Sequence, residues 1–314
     1  MRQRARILRA GGRFCCLLVL GSLLLALAAC APSQTPQDAR LDDLGHAFSV
    51  SEPSQVAVCS GSLAEIWVLA GGQLCAVTED GFEQHGLQLE DVPSLGSLKE
   101  PSLEALLAVE PDFVVLSANI DGHQAISQTL DELNIPNALL NVETFEDYLR
   151  VLGLFADITG REDLYRQNGL DLQSRIDEIL SGVPEGAAPE VLLIRAYSSG
   201  AKAKGSDNMT GAMLQDLGCV NLADENPSVL EELSLEFILE EDPDFIFVTT
   251  MGSSDEAALE AFASSFSSNP AWASLRAVKD GRFIVLPKDL FHLKPNARWP
   301  ESYEMLAELL YGQA

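Results

Sequence analysis

The chain has 314 residues, with 20 Lys and Arg against 47 Asp and Glu, a formal net charge of −27. Such acidity argues against nucleic acid or an anionic membrane surface as a partner and admits cationic or neutral ligands and a basic protein partner. Aromatic residues are 7% of the chain, so the sequence offers few broad stacking platforms.

Residues 1–29 read as a leader and not as fold. MRQRARILRAGGR carries five Arg and no acid, and FCCLLVLGSLLLALAAC follows it, ending in small residues and Cys30. These are a positive n-region, an apolar h-region and a processing site. The apolar run is 16 residues, Phe14 to Ala29, short for a spanning helix. Leu27-Ala28-Ala29-Cys30 resembles a bacterial lipobox, which implies cleavage before Cys30 and lipidation of its sulfur; an N-terminal anchor with a chance Cys is the alternative. Losing the five Arg takes the charge from −27 to −32. Residues 30–44 begin with the lipidated Cys and run on as a polar tether with nothing to bury. Cys59, Cys75 and Cys219 remain, at spacings that fit no zinc pattern. Cys59 and Cys75 close two short apolar runs, so in an exported protein they are either a disulfide or buried free thiols.

From there short apolar runs alternate with helical patterns. Strands are predicted at 55–59, 74–77, 113–117 and 138–142, with helices over 63–71 and around 125–133. Strands return at 191–195, 245–249 and 283–287, with helices over 208–217 and 256–265. Alternation of this kind means βαβ units and parallel sheets. Between the halves, REDLYRQNGLDLQSRIDEIL has no Pro and spaces Leu164, Leu170, Leu172, Ile176 and Leu180 at helical intervals. Twenty helical residues span about 30 Å. The expected class is α/β: two Rossmann-like lobes with parallel sheets, residues 45–160 and 183–314, joined by one long rigid α-helix over 161–182. Gly169 should weaken its middle by about 1 kcal/mol relative to Ala.

One unit is written twice. SLEALLAVEPDFVVLS begins at Ser102 and SLEFILEEDPDFIFVT at Ser234, an offset of 132, with seven of sixteen positions identical. In each copy an acid, Glu104 or Glu236, sits early in a short helix. Pro-Asp ends the helix, because Pro lacks the backbone donor and its predecessor avoids the helical region. An apolar strand follows at Phe113 or Phe245.

The segments VAVCSGSLAEIWVLAG, LGSLKEPSLEALLAVEPDFVVLS, LSLEFILEEDPDFIFV and NPAWASLRAVKDGRFIVLP, in this order, resemble ABC-transporter substrate-binding lipoproteins of the iron-siderophore, haem and cobalamin type. The resemblance covers nearly the whole chain after the leader. It implies an extracytoplasmic, lipid-anchored monomer without resident cofactor or enzyme activity. The ligand, a small-molecule metal complex, would lie in a cleft between lobes that close modestly. Glu104 and Glu236 would meet Arg residues of an ABC permease. The alternative for these two acids is a helix-dipole contact of about 0.3–1 kcal/mol each.

In doubly wound sheets ligands bind beyond the carboxyl ends of strands. That rule selects Ser60, Ser62, Asn119, His123, Arg195, Tyr197, Lys204, Asn208, Met251, Phe291 and His292. Ser60 and Ser62 also read as helix caps, Asn119 as a turn residue, and His123 as a solvated residue at a helix start. Arg195 beside Tyr197 suits an anionic or aromatic ligand. Lys202 and Lys204 read equally as a solvated loop, Asn208 as a helix cap, and Phe291 and His292 as packing at the lobe edge. Three other readings stand: capture of bare Zn²⁺ or Mn²⁺ by a His123–His292 pair, an exported enzyme, and an anchored adhesion or scaffold module. No nucleophile elbow, phosphate loop or zinc-helix motif supports the enzyme.

Overall fold

The computed structural model describes residues 39–312. The leader, the Cys30 lipidation site and the tether up to residue 38 lie outside the described residues. No helix among the described residues is long and apolar enough to cross a membrane.

The first sheet is parallel throughout, in the order β2-β1-β3-β4, with β1 at Val56–Val58, β2 at Ala76–Val77, β3 at Phe113–Ser117 and β4 at Asn137–Leu140. Helices Gly61–Leu69 (α1), Leu103–Ala108 (α2) and Asp121–Glu132 (α3) connect these strands. The four strands are almost wholly buried, as parallel strands covered on both faces must be. Phe145–Thr159 (α4) follows. The sequence reading did not assign α4, although Thr144 and Asp147 form a capping box at its start and Gly160, at φ 68°, ends it in the left-handed region.

The second sheet comprises β5 (Glu190–Tyr197), β6 (Gly200–Lys204), β7 (Val220–Asn221), β8 (Phe245–Thr250) and β9 (Phe283–Val285). Its order is β9-β8-β5-β6, with β7 beside the start of β5. Here the expectation of parallel sheets needs correction. β6 is antiparallel to β5, so residues 198–204 are the return arm of a hairpin and not a loop. Register then puts Arg195 opposite Lys202, and Tyr197 opposite Gly200.

The helical path between the sheets runs through Glu162–Tyr165, a π turn at Arg166–Leu170 and Asp171–Ser181 (α5), with helical dihedrals at both junctions. Its first half is fastened to the first-sheet side. Tyr148 Oη donates to the Asn168 carbonyl at 2.6 Å, and Asn168 Nδ2 donates to the Leu69 carbonyl at 2.8 Å. The second half packs on the C-terminal helix Trp299–Tyr311 (α6), with Arg175 and Glu304 paired at 2.8 Å. One apolar core joins the inner faces of both sheets, including Phe113, Leu193 and Phe247, through Phe145 and Trp299, whose ring centroids are 5.8 Å apart. Separate clusters cover the outer faces.

The duplicated unit is duplicated in space as well. Ser102 and Ser234 cap their helices through backbone N–H groups of Ala105 and Phe237. Glu110 and Asp242, again 132 residues apart, take positive φ of 48° and 44° before Pro. The Asp after each Pro fastens the start of the neighbouring strand: Asp112 accepts from Ser54 and Gln55 backbone N–H, and Asp244 from that of Glu190.

Candidate ligand cleft

Arg195 lies two residues before the end of β5, toward the carboxyl end of the second sheet. Alternation along β5 and its register with β6 put Arg195, Tyr197, Lys202 and Lys204 on one face, while Ile194, Ala196 and Ala203 enter the core on the other. Like charges directly opposite across a strand pair destabilise it, and Arg195 faces Lys202. The segment after β9 adds Lys288, His292 and Lys294, all of which act electrostatically on His292 or are that residue. A chain of charge −27 thus gathers cations at one place.

Only a few carboxylates answer them. Lys294 Nζ donates to Glu143 Oε2 at 2.6 Å, across 151 residues of sequence. Glu143 also acts on Arg195 and Lys204, as does Asp207. Lys288 Nζ donates to Asp255 Oδ1 at 3.1 Å and to the Gly252 carbonyl. Burial and the neighbouring Arg195, Lys288 and Lys294 press the His292 ring down to about 4, so it is neutral at physiological pH. Burial also lowers Arg195, and burial with Arg195 lowers Lys204.

Three buried polar atoms without partners lie here: Arg195 Nε, His292 Nδ1 and Asn208 Oδ1. A buried polar atom left unpaired is expensive, so water or a ligand has to meet these three. Asn208 stands at the start of helix Met209–Asp216 without capping it through its side chain. Met251 is half-buried beside them, its N–H donating to the Ala196 carbonyl.

On the first-sheet side, Ser60 and Ser62 pair their hydroxyls at 3.1 Å and do not cap α1. The Asp80 carboxylate does so instead, accepting from Gly61 N–H at 2.7 Å. The Ser62 carbonyl accepts from Asn296 Nδ2, which draws the 294–296 segment to this edge. Asn119 is exposed and donates to Asn141 Oδ1.

Two candidates are corrected. His123 is wholly buried, not solvated, and both ring nitrogens are committed: Nδ1 accepts from Ser117 N–H at 2.8 Å and Nε2 pairs with the Leu98 carbonyl at 2.7 Å. It has no lone pair left for a metal, which dissolves the His123–His292 pair. The Phe291 ring is fully buried in the shared core; its carbonyl accepts from Thr210 and its N–H donates to the Pro287 carbonyl. Cys59, Cys75 and Cys219 are free thiols.

Sequence reasoning missed Glu143 and Lys294; Lys288 lies in the strand-end loop 288–292 that the rule selects, without being singled out. Lys294 lies in LKPNARW, which reads as a turn, and Glu143 precedes a helix that was not assigned. The available signal was a basic residue among so many acids.

A sequence profile of the periplasmic binding protein family matches residues 56–290. The chain is similar to the Fe(3+)-citrate-binding protein YfmC of Bacillus subtilis, 24% identical over 63% of this chain and 61% of that one, less than two thirds of YfmC's length. A periplasmic haem-binding protein from Pseudomonas aeruginosa has the same fold at 24% identity and TM-score 0.67, over 83% of this chain and 94% of that one. So does the siderophore-binding protein BauB, solved with ferric iron and two molecules of acinetobactin, at 18% identity and TM-score 0.69, over 88% and 99%. With three quarters of its length matched by the profile, this chain belongs to the periplasmic binding protein family.

Proposed function

We propose that this protein is the extracytoplasmic substrate-binding component of an ABC importer for iron complexes, and that its ligand is an anionic ferric chelate. The observation that carries this is the cluster of Arg195, Lys204 and Lys294 around three unpartnered buried polar atoms. Arg presents a planar fork suited to carboxylates. The similar proteins are named for ferric citrate, haem and a ferric siderophore, ligands of the same broad class. The bare-metal reading loses its best ligand pair with His123, and the family consists of binding proteins, which supports a non-enzymatic role. Cobalamin lacks the negative charge the cluster calls for.

The finer parts of the reading are lipid anchoring through Cys30 as the sole membrane attachment, a monomeric state, and docking to the permease through Glu104 and Glu236. Both glutamates are exposed at the second position of capped helices. The test is a thermal-shift scan of the chain from Ala31 against ferric citrate, ferric siderophores, haem, cobalamin, Zn²⁺ and Mn²⁺, followed by titration. A ligand at a hundred times its Kd stabilises by about 2.7 kcal/mol. Stabilisation by an anionic iron complex is expected; a response confined to bare metal would move the function to metal-ion capture.

A further inference from the structure

The cations of the cleft come from the second half of the chain, whereas the carboxylate bonded to Lys294 comes from the first. Glu143 sits on a fixed support: its backbone N–H donates to Asp147 Oδ2 at 3.0 Å, and Asp147 is locked in the capping box with Thr144. Its side chain is one-third exposed, and the Lys294 side chain is one-fifth exposed. This is therefore not a sealed core ion pair but one that solvent reaches. Besides Lys294, the Glu143 carboxylate acts on Arg195 and Lys204. Without it, Asp207 would be the remaining carboxylate acting on both Arg195 and Lys204, beside the Tyr197 hydroxyl at Arg195 and with Lys202 directly opposite Arg195.

Resting on the proposed ligand class, we propose that Glu143 is the built-in counter-ion of the cleft, occupying the cations in the free protein so that an anionic chelate binds by displacing it. Glu143 is then a specificity-determining residue. A single weak anion competes poorly with a tethered carboxylate, whose effective concentration is high. A chelate presenting several anionic oxygens engages Arg195, Lys204 and Lys294 together and wins. A structural tie between the two halves of the chain would be indifferent to the charge of the ligand, and losing either partner would have the same consequence. A counter-ion makes the two losses opposite in sign.

The experiment compares full-length wild type, Glu143→Gln and Lys294→Gln, titrated with ferric citrate and with a neutral ferric trihydroxamate chelate. Glu143→Gln is expected to tighten ferric citrate by about tenfold and Lys294→Gln to weaken it by about tenfold, while Glu143→Gln leaves the neutral chelate within about twofold. Weaker ferric citrate binding by Glu143→Gln, or an equal gain for the neutral chelate, overturns the proposal. If wild type binds neither chelate, the ligand class fails, and Glu143 is judged separately by acylation of Lys294 with acetic anhydride in the free protein. Removing the carboxylate lowers the affinity of Lys294 for its proton, so Glu143→Gln should speed acylation by several-fold. An unchanged rate overturns the counter-ion.

Discussion

His292 shows how one residue reports its surroundings. Its neutral ring faces Arg195, Lys288 and Lys294, with Asp255 opposing them, and titrates near 4 where an ordinary imidazole titrates at 6.5. The unfolded chain therefore binds a proton between these values that the folded chain refuses. Stability contributed by the neutral ring is complete above about 6.5 and is lost as pH falls toward 4, at most about 3 kcal/mol in all. Replacing His292 with Gln should flatten this part of the profile. Urea unfolding at pH 7 and pH 5 measures it: the wild type should lose more stability than His292→Gln, and equal losses would mean the ring is not held neutral. Arg195 was legible in the sequence because a strand-end Arg in an acidic chain is unusual. The Glu143–Lys294 pair was not, because its partners are 151 residues apart and only the fold joins them.

At the scale of elements, Gly169 reverses meaning between sequence and structure. By propensity, Ala there should strengthen the helix by about 1 kcal/mol. Yet Gly169 is buried in the π turn, and a Cβ would stand 3.1 Å from both Leu149 Cδ2 and Leu152 Cδ2 on α4. Overpacking costs about 1–3 kcal/mol, so Gly169→Ala should bring no gain and a net loss up to about 2 kcal/mol. Urea unfolding decides it, and a stabilised variant would show that the leucines yield. The Asp of each Pro-Asp pair is likewise explained by contacts and not by propensity. Asp112 accepts from Ser54 N–H and Oγ and from Gln55 N–H; burial alone would raise its carboxyl, but these bonds hold it below the usual range. Asp112→Ala should cost about 1–2 kcal/mol by freeing the start of β1, against little change for Asp112→Asn if the amide oxygen keeps one of the bonds. The parallel strands and the helical course of the connection were readable from periodicity, but the π turn at Arg166–Leu170 that interrupts the expected single α-helix was not. The β6 arm was not, since GAKAK carries its one fully buried apolar side chain at Ala203 and looks like a polar loop.

For the whole molecule, the duplicated helix–turn–strand unit has a consequence beyond symmetry. Each copy uses the same devices: a Ser cap, a left-handed residue before Pro, and an Asp that fastens the next strand. These account for Ser, Pro and Asp in both copies. They do not account for Glu104 and Glu236, which are exposed and make no contribution to caps, strands or core. The helix dipole favours an acid at that position by about 0.3–1 kcal/mol, and many polar residues would serve as well. An exposed acid recurring at an equivalent place on each half suits a basic partner that reads both, and rim charges of this kind govern encounter more than internal packing. Replacing both with Lys in one chain should leave chelate affinity within about twofold, because neither residue is among the groups acting on Arg195, Lys204, His292 or Lys294. Stability should fall by no more than about 2 kcal/mol, twice the dipole contribution. Iron-complex uptake by cells carrying the double variant should fall to the level of cells lacking the protein. Uptake at the wild-type rate would return both glutamates to the role of helix-start acids, and lost chelate binding would show that the substitutions disturb the cleft instead of the docking surface.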